Sequence, residues 1–102
     1  SYEMKDDELG IEILISRLLD KIKTFMSENK LTENEEKVGL SLIEVFENYE
    51  EIFIAGSGNK FNKNVILYQL REMTGLTTKE IRNSLTRYKD IYKLVSQAFK
   101  NQ

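Results

Sequence analysis

The side chains in this sequence that are best equipped for chemistry are basic and polar residues between positions 79 and 93. Lysine and arginine supply positive charge for an anion, and arginine and asparagine carry planar groups that form paired hydrogen bonds. At about 100° per residue, most of these residues fall on one side of a helix. They are Lys79, Arg82, Asn83, Thr86, Lys89 and Lys93, with Arg87 beside them. Such a face is suited to binding a polyanion, although each lysine taken alone is more simply a solvated surface residue.

The stretch 67–89, LYQLREMTGLTTKEIRNSLTRYK, must position these side chains, and it predicts two helices joined by a tight turn. Gly75 suits the left-handed conformation that ends a helix. Thr77 and Glu80 have the spacing of a capping box, which begins the next helix. Ile81 and Leu85 then fall on the side that faces the preceding helix. The turn at Gly75 therefore predicts an apolar inner side and a basic outer side for the second helix.

This stretch resembles a helix-turn-helix DNA-binding unit, in which the second helix enters the major groove. The resemblance implies an interface to DNA bases at Arg82, Asn83 and Thr86. It implies phosphate contacts at Lys79, Arg87, Lys89 and Lys93. Such units usually carry a small residue four positions before the turn glycine, where this chain has Arg71. The alternative is an ordinary pair of antiparallel helices, which also accommodates a glycine in its turn.

Charge is divided unevenly along the chain, and this favours nucleic acid as the partner. Residues 1–55 contain six Lys or Arg against fourteen Asp or Glu, a net charge of −8. Residues 56–102 contain nine against three, a net charge of +6. Asymmetry of this kind indicates a half that binds polyanions, and here it coincides with the basic helix. The alternatives are a solvated basic face or a basic face that the acidic half covers.

The glycine-containing segment AGSGNKF at 55–61 lies just before the first helix of this pair. It lacks the third glycine of a dinucleotide fingerprint and the Lys-Ser/Thr pair of a P-loop, which argues against nucleotide binding. A DNA phosphate is the more plausible ligand of this segment, because Lys60 and Lys63 flank the start of a helix. We therefore add both lysines to the candidate phosphate contacts.

Several functions are disfavoured by composition. The chain has no cysteine and no histidine, so the commonest nucleophile, general base and transition-metal ligands are missing. We therefore expect no enzyme, no metal site, no cofactor and no small-molecule substrate. No apolar run reaches the roughly 18 residues of a membrane span, and the N-terminal residues are acidic where a signal peptide is basic. We expect a soluble, cytoplasmic protein.

Apolar periodicity predicts an all-α fold in one domain covering residues 1–102. The expected helices span 7–29, 32–54, 62–74 and 78–101. The first two form a hairpin that supports the C-terminal helix-turn-helix pair. Leu9 and Ile13 lie opposite the main apolar stripe of the first helix, which marks them as candidate contacts of a homodimer. Two isolated exposed side chains are the simpler interpretation.

The function that these patterns favour is binding of double-stranded DNA, by a small transcriptional regulator or a DNA-processing accessory factor. The main alternative is a helical protein-interaction module, an adaptor or oligomerisation domain, that does not bind nucleic acid.

Overall fold

The protein is helical throughout the parts of the chain that can be described. The computed structural model describes residues 2–53 and 63–100, with side chains for residues 10–51 and 63–98. The helices are α1 (Tyr2–Glu28), α2 (Glu33–Glu47), α3 (Tyr49–Phe53), α4 (Lys63–Thr74) and α5 (Thr78–Lys100). The all-α prediction is confirmed, with five helical segments in these ranges where four were expected. None of the helices in these ranges is both long and apolar enough to cross a membrane.

One apolar core lies where α1, α2, α4 and α5 meet. Within it α1 packs against α2 and α5, and α2 also packs against α4 and α5. Each helix contributes side chains that are almost completely buried, among them Leu18, Val38, Leu70 and Ile81. Burying one such side chain stabilises a fold by about 1.5–3 kcal/mol. The apolar inner side predicted for the helix after Gly75 thus packs inside the domain, because Ile81, Tyr88 and Val95 are all buried.

The predicted second helix, 32–54, is broken at Asn48. The backbone N–H and the side-chain amide of Asn48 both donate to the carbonyl oxygen of Glu44, at 3.1 and 2.9 Å. Asparagine competes in this way with regular helical hydrogen bonding, so α2 ends and α3 begins at Tyr49. The apolar pattern continues across the break, and for this reason periodicity alone predicted a single helix.

The corner between α1 and α2 is closed by two local hydrogen-bond patterns. Asn29 ends α1, because its backbone N–H and side-chain amide both donate to the carbonyl oxygen of Phe25, at 3.1 and 2.9 Å. Thr32 then caps α2. Its hydroxyl accepts from the N–H of Glu35 at 3.1 Å, and the Glu35 carboxylate accepts from the N–H of Thr32 at 2.9 Å. Thr32 and Glu35 thus form a capping box, which sets the direction in which α2 leaves α1.

Gly39 allows α5 to approach α2 closely. The hydroxyl of Tyr88 donates to the carbonyl oxygen of Glu35 at 2.8 Å, one helical turn before Gly39. A Cβ at position 39 would overlap that hydroxyl and would lie 2.7 Å from the sulfur of Met26. Burial raises the pKa of Tyr88 to about 12, so its hydroxyl remains a donor across the neutral range. The absence of a side chain at Gly39 therefore leaves the space in which Tyr88 of α5 forms its hydrogen bond to α2.

This contact predicts an unusual result for a glycine in a helix. Alanine normally stabilises a helix interior by about 1 kcal/mol relative to glycine. We expect Gly39→Ala instead to lower the free energy of unfolding by about 1–3 kcal/mol, because the new methyl group displaces the Tyr88 ring. Urea denaturation followed by circular dichroism measures the change.

The double variant gives the control. Tyr88→Phe alone should cost about 1 kcal/mol, since it removes one hydrogen bond to a partly buried carbonyl group. In that background Gly39→Ala should be tolerated better, because the atom nearest to the new methyl group is gone and the close atoms that remain end the flexible side chain of Met26. Equal costs of Gly39→Ala in both backgrounds would contradict the proposed contact.

Candidate nucleic-acid interface

The turn between α4 and α5 has the conformation that the sequence predicted. Gly75 has a φ of 72° and its N–H donates to the carbonyl oxygen of Arg71 at 2.9 Å. Thr74 supports the turn from inside. Its hydroxyl donates to the carbonyl oxygen of Leu70 at 2.6 Å and accepts from the N–H of Leu76 at 3.1 Å. The larger residue at position 71 is accommodated because Arg71 is exposed.

A capping box at Thr77 fixes the start of α5. The Thr77 hydroxyl accepts from the N–H of Glu80 at 3.2 Å, and the Glu80 carboxylate accepts from the N–H of Thr77 at 2.9 Å. The backbone N–H of Thr77 also lowers the pKa of Glu80, because it stabilises the carboxylate. Ile81 is completely buried and Ser84 nearly so, which turns this side of α5 inward. The opposite side of the helix is therefore left facing solvent.

Five candidate residues form a continuous surface on that outer side, which we call the basic face. At about 100° per residue they lie within an arc of about 80° around α5. All five are exposed, and none takes part in the ion pairs found among the described residues. The basic face consists of Lys79, Arg82, Thr86, Lys89 and Lys93. Asp90 borders it, so one negative charge lies at its edge.

An open groove separates α4 from α5 next to the basic face. Its volume is about 380 Å³. Lys63, at the start of α4, stands on one rim, and Arg82 and Lys89 stand on the other. The floor and walls are mainly apolar and come from all four packed helices. The structure thus brings Lys63, a candidate phosphate contact, near two residues of the basic face.

Arg87 has a different role from the phosphate contact that the sequence indicated. Its guanidinium group donates to the carbonyl oxygen of Lys30 at 3.4 Å and to the side-chain oxygen of Asn29 at 3.3 Å. It also lies 3.6 Å from the Glu35 carboxylate and 4.6 Å above the centre of the Phe25 ring. The guanidinium group is thus bound by the corner between α1 and α2. We leave Arg87 out of the candidate DNA surface.

Asn83 lies apart from the other two candidates for base reading. It lines a shallow depression between α5 and the first turn of α2, together with Glu33, Glu35 and Glu80. Carboxylates beside it repel phosphate groups, which makes this edge of α5 a poor approach to DNA. Asn83 stays a prediction, whereas Arg82 and Thr86 lie on the basic face.

Of the three remaining candidates, Lys60, Leu9 and Ile13, the structure describes the side chain of Ile13 alone. Lys60, and the segment 55–61 that contains it, lie outside the described residues, and so does the side chain of Leu9. Ile13 is 44% exposed, consistent with its place opposite the buried stripe of α1. Leu40 and Leu94 are more exposed, at 56% and 69%. Among residues with described side chains, no acidic group is arranged to hold a metal ion.

Comparison with known proteins adds no family to these observations. No family model, no curated protein sequence and no solved structure matches this chain.

The turn at Gly75 can be tested by its backbone conformation alone. A Cβ there would meet no atom within 4 Å, so any cost of a side chain comes from the positive φ. We expect Gly75→Ala to lower the free energy of unfolding by about 1–2 kcal/mol. Gly75→Asn should lower it less, because asparagine tolerates this conformation. The idea fails if urea denaturation shows alanine to be as stable as glycine.

Glu35 should make stability depend on pH. The backbone N–H of Thr32, and then the charge of Arg87, lower the pKa of Glu35 below its ordinary value of 4.5. A lowered pKa contributes stability above the ordinary value, and this contribution is lost as the pH falls through the lowered pKa. Glu35→Gln should therefore be less stable than the parent protein at pH 7. The difference in free energy of unfolding between the two proteins should become smaller as the pH falls below 4.5.

Urea denaturation of both proteins between pH 7 and pH 3 measures this difference. Glu36→Gln is the matched control, because it removes the same charge from the same turn and leaves the contacts with Thr32 and Arg87 intact. A difference that stays constant over this range would contradict the role of the Glu35 carboxylate.

Proposed function

We propose that the protein binds double-stranded DNA through the basic face of α5, with α4 and α5 acting as a helix-turn-helix pair. The observation that carries this proposal is the exposure of Lys79, Arg82, Lys89 and Lys93 on one side of a helix whose other side is buried. Their charges are not neutralised by ion pairs within the described parts of the chain. A polyanion of regular shape is the partner that best complements such a row.

The dimensions of α5 suit the major groove. The groove is about 12 Å wide, which admits one helix with its side chains. Lys79 and Lys93 are about 21 Å apart along the helix, at about 1.5 Å per residue. Such a row is long enough to reach phosphates on both walls of the groove. Arg82 and Thr86 lie between these ends, in the part of the helix that would approach base edges.

In this proposal the side chains of the basic face divide into two groups. Arg82 would read bases, because its guanidinium group forms paired hydrogen bonds with guanine. Thr86 would make a lesser contact, since its hydroxyl already donates to the carbonyl oxygen of Asn83 at 3.3 Å. Lys79, Lys89, Lys93 and Lys63 would bind phosphates, which gives affinity without sequence preference.

The biological role that we propose is that of a small cytoplasmic transcriptional regulator or DNA-processing accessory factor. Operators are commonly read by two-fold symmetric dimers, and we include a homodimer through Ile13 and Leu9 in the proposal. The exposure of Ile13 supports this contact.

A protein-interaction module is the second candidate. The observation that favours it is the apolar groove between α4 and α5, together with the exposed Leu40 and Leu94. Exposed apolar surface of this kind commonly contacts another protein. The two candidates differ in their salt dependence, because counterion release makes DNA binding fall steeply as salt rises.

Titration of a generic duplex at several salt concentrations tests the proposal. We expect measurable binding at low salt and a linear fall of log K with log salt concentration. Lys89→Ala should reduce that slope by about one, since it removes one phosphate contact. Lys21→Ala is the control, because Lys21 is an exposed lysine on α1. Absence of duplex binding at low salt, or equal effects of the two substitutions, would sink the proposal.

The role of Arg82 requires a sequence-resolved measurement. Selection from a random duplex library should enrich a preferred site with the parent protein. Arg82→Ala should weaken that site by about 1–3 kcal/mol and affect random duplex much less. If Arg82→Ala weakens all sequences equally, then Arg82 is only another phosphate contact.

A further inference from the structure

We propose that the groove between α4 and α5 is a binding site for a small organic anion, an aliphatic or aromatic carboxylate with an apolar body. The groove measures about 380 Å³, within the range of about 300–1,000 Å³ that is typical of small-molecule sites. Its depth comes from the core, because Leu18 and Ile22 of α1 and Phe46 of α2 line it together with Leu67 and Leu85. Leu18, Ile22 and Phe46 are almost completely buried. The apolar part of a ligand would therefore rest on Leu67 and Leu85, which are partly exposed.

The rim of the groove selects for negative charge. Lys63, Arg82 and Lys89 stand around it, and no Asp or Glu is found among its described lining residues. Tyr88 also lines the groove, and its hydroxyl already donates to the backbone carbonyl oxygen of Glu35. All three cations are exposed to water, and a carboxylate gains an ionic contact with them that an uncharged ligand cannot make. A carboxylate can bind the fork of Arg82 through two parallel hydrogen bonds.

Size favours a small molecule over a segment of another protein. An α-helix with its side chains is about 10–12 Å across, and a docked helix needs a long trough for several anchors. The groove is bounded by the start of α4 and the middle of α5, with cations close to its apolar walls. One acidic group joined to one short apolar body matches this arrangement.

The groove and the basic face share Arg82 and Lys89, so an occupied groove should compete with DNA. A carboxylate bound at the rim would neutralise part of the positive charge on which DNA affinity depends. This regulatory consequence rests on the proposed function, whereas binding in the groove itself does not.

Isothermal titration calorimetry with 4-phenylbutyrate and its neutral twin 4-phenylbutanamide tests the site. We expect saturable binding of the acid with a Kd on the order of 1 mM, as befits a ligand of this size, and weaker binding of the amide. Arg82→Gln should weaken binding of the acid about fivefold and leave the amide unchanged within twofold. Arg71→Gln removes the same charge from an exposed position outside the groove and should change neither.

Location is checked separately by amide chemical shifts in two-dimensional NMR. The acid should move signals of Leu67 and Leu85, which line opposite walls of the groove. Binding without shifts there, binding of acid and amide with equal affinity, or equal effects of the two arginine substitutions would each overturn the site. No binding of either compound, or capture of an acidic amphipathic peptide in their place, would also overturn it.

The same two compounds separate this inference from the proposed function. If both proposals hold, 4-phenylbutyrate weakens duplex binding and 4-phenylbutanamide does not. If the protein binds no duplex at all, the proposed function fails, and the calorimetry still decides the groove. If duplex binds but the acid does not compete, the regulatory consequence is wrong.

Discussion

The hydrogen bond from Tyr88 to the carbonyl oxygen of Glu35 is the contact on which the arrangement of the helices depends. It forms only because Gly39 leaves room for the tyrosine one turn further along α2. A side chain at position 39 would block the approach of Tyr88 to this carbonyl oxygen. The bond therefore sets both the distance between α2 and α5 and the rotation of α5 about its own axis.

Rotation of α5 matters because it decides which residues meet water. Next to Tyr88, Arg87 is held by the corner between α1 and α2, and the Phe25 ring packs edge-on against Tyr88 with centroids 5.5 Å apart. These contacts hold one side of α5 against α1 and α2 at the middle of the helix. Near the start of α5, the buried side chain of Ile81 packs into the core. The basic face is exposed as a consequence, because it lies on the side opposite to all of these contacts.

The two halves of the chain pack together through apolar side chains, and among the described residues one ion pair joins them. Arg87 pairs with Glu35, and the side of α5 next to α2 carries Glu80 and Asn83 beside the carboxylates of the first turn of α2. The remaining cations of α5 point away from this contact. A chain with a net charge of −2 can in this way present a positive surface of several charges. Local fields of this kind steer charged partners more effectively than net charge does.

Local rules predicted the parts of this molecule that local interactions decide. The turn at Gly75, the capping boxes at Thr32 and Thr77, and the buried side of α5 all follow from residue type and spacing over a few positions. The break at Asn48 was predictable in principle, because asparagine within an apolar pattern can take the hydrogen bond of its own helix. Periodicity concealed that signal, since the apolar positions continue in phase on both sides.

Other features depend on the packing of distant segments, which no local pattern contains. Arg87 looked like any exposed cation of α5, and its partners at Asn29 and Lys30 are 58 and 57 positions away in the chain. Asn83 and Arg82 are neighbours in sequence, yet the position of α2 places carboxylates beside the first and leaves the second open. The groove could not be predicted from the sequence either, because its walls come from four helices that are distant in the chain.

The groove follows from the same geometry that exposes the basic face. The turn at Gly75 holds the end of α4 against the start of α5, and the groove lies between the start of α4 and the middle of α5. Leu67 and Leu85 keep part of their surface open there, above the core. Arg82 and Lys89 project from the same edge, so their charge cannot serve an anion in the groove and a phosphate outside it with equal strength. Under the two proposals above, such a surface would couple the binding of DNA and of an organic anion through shared cations, and the coupling would require no movement of the helices.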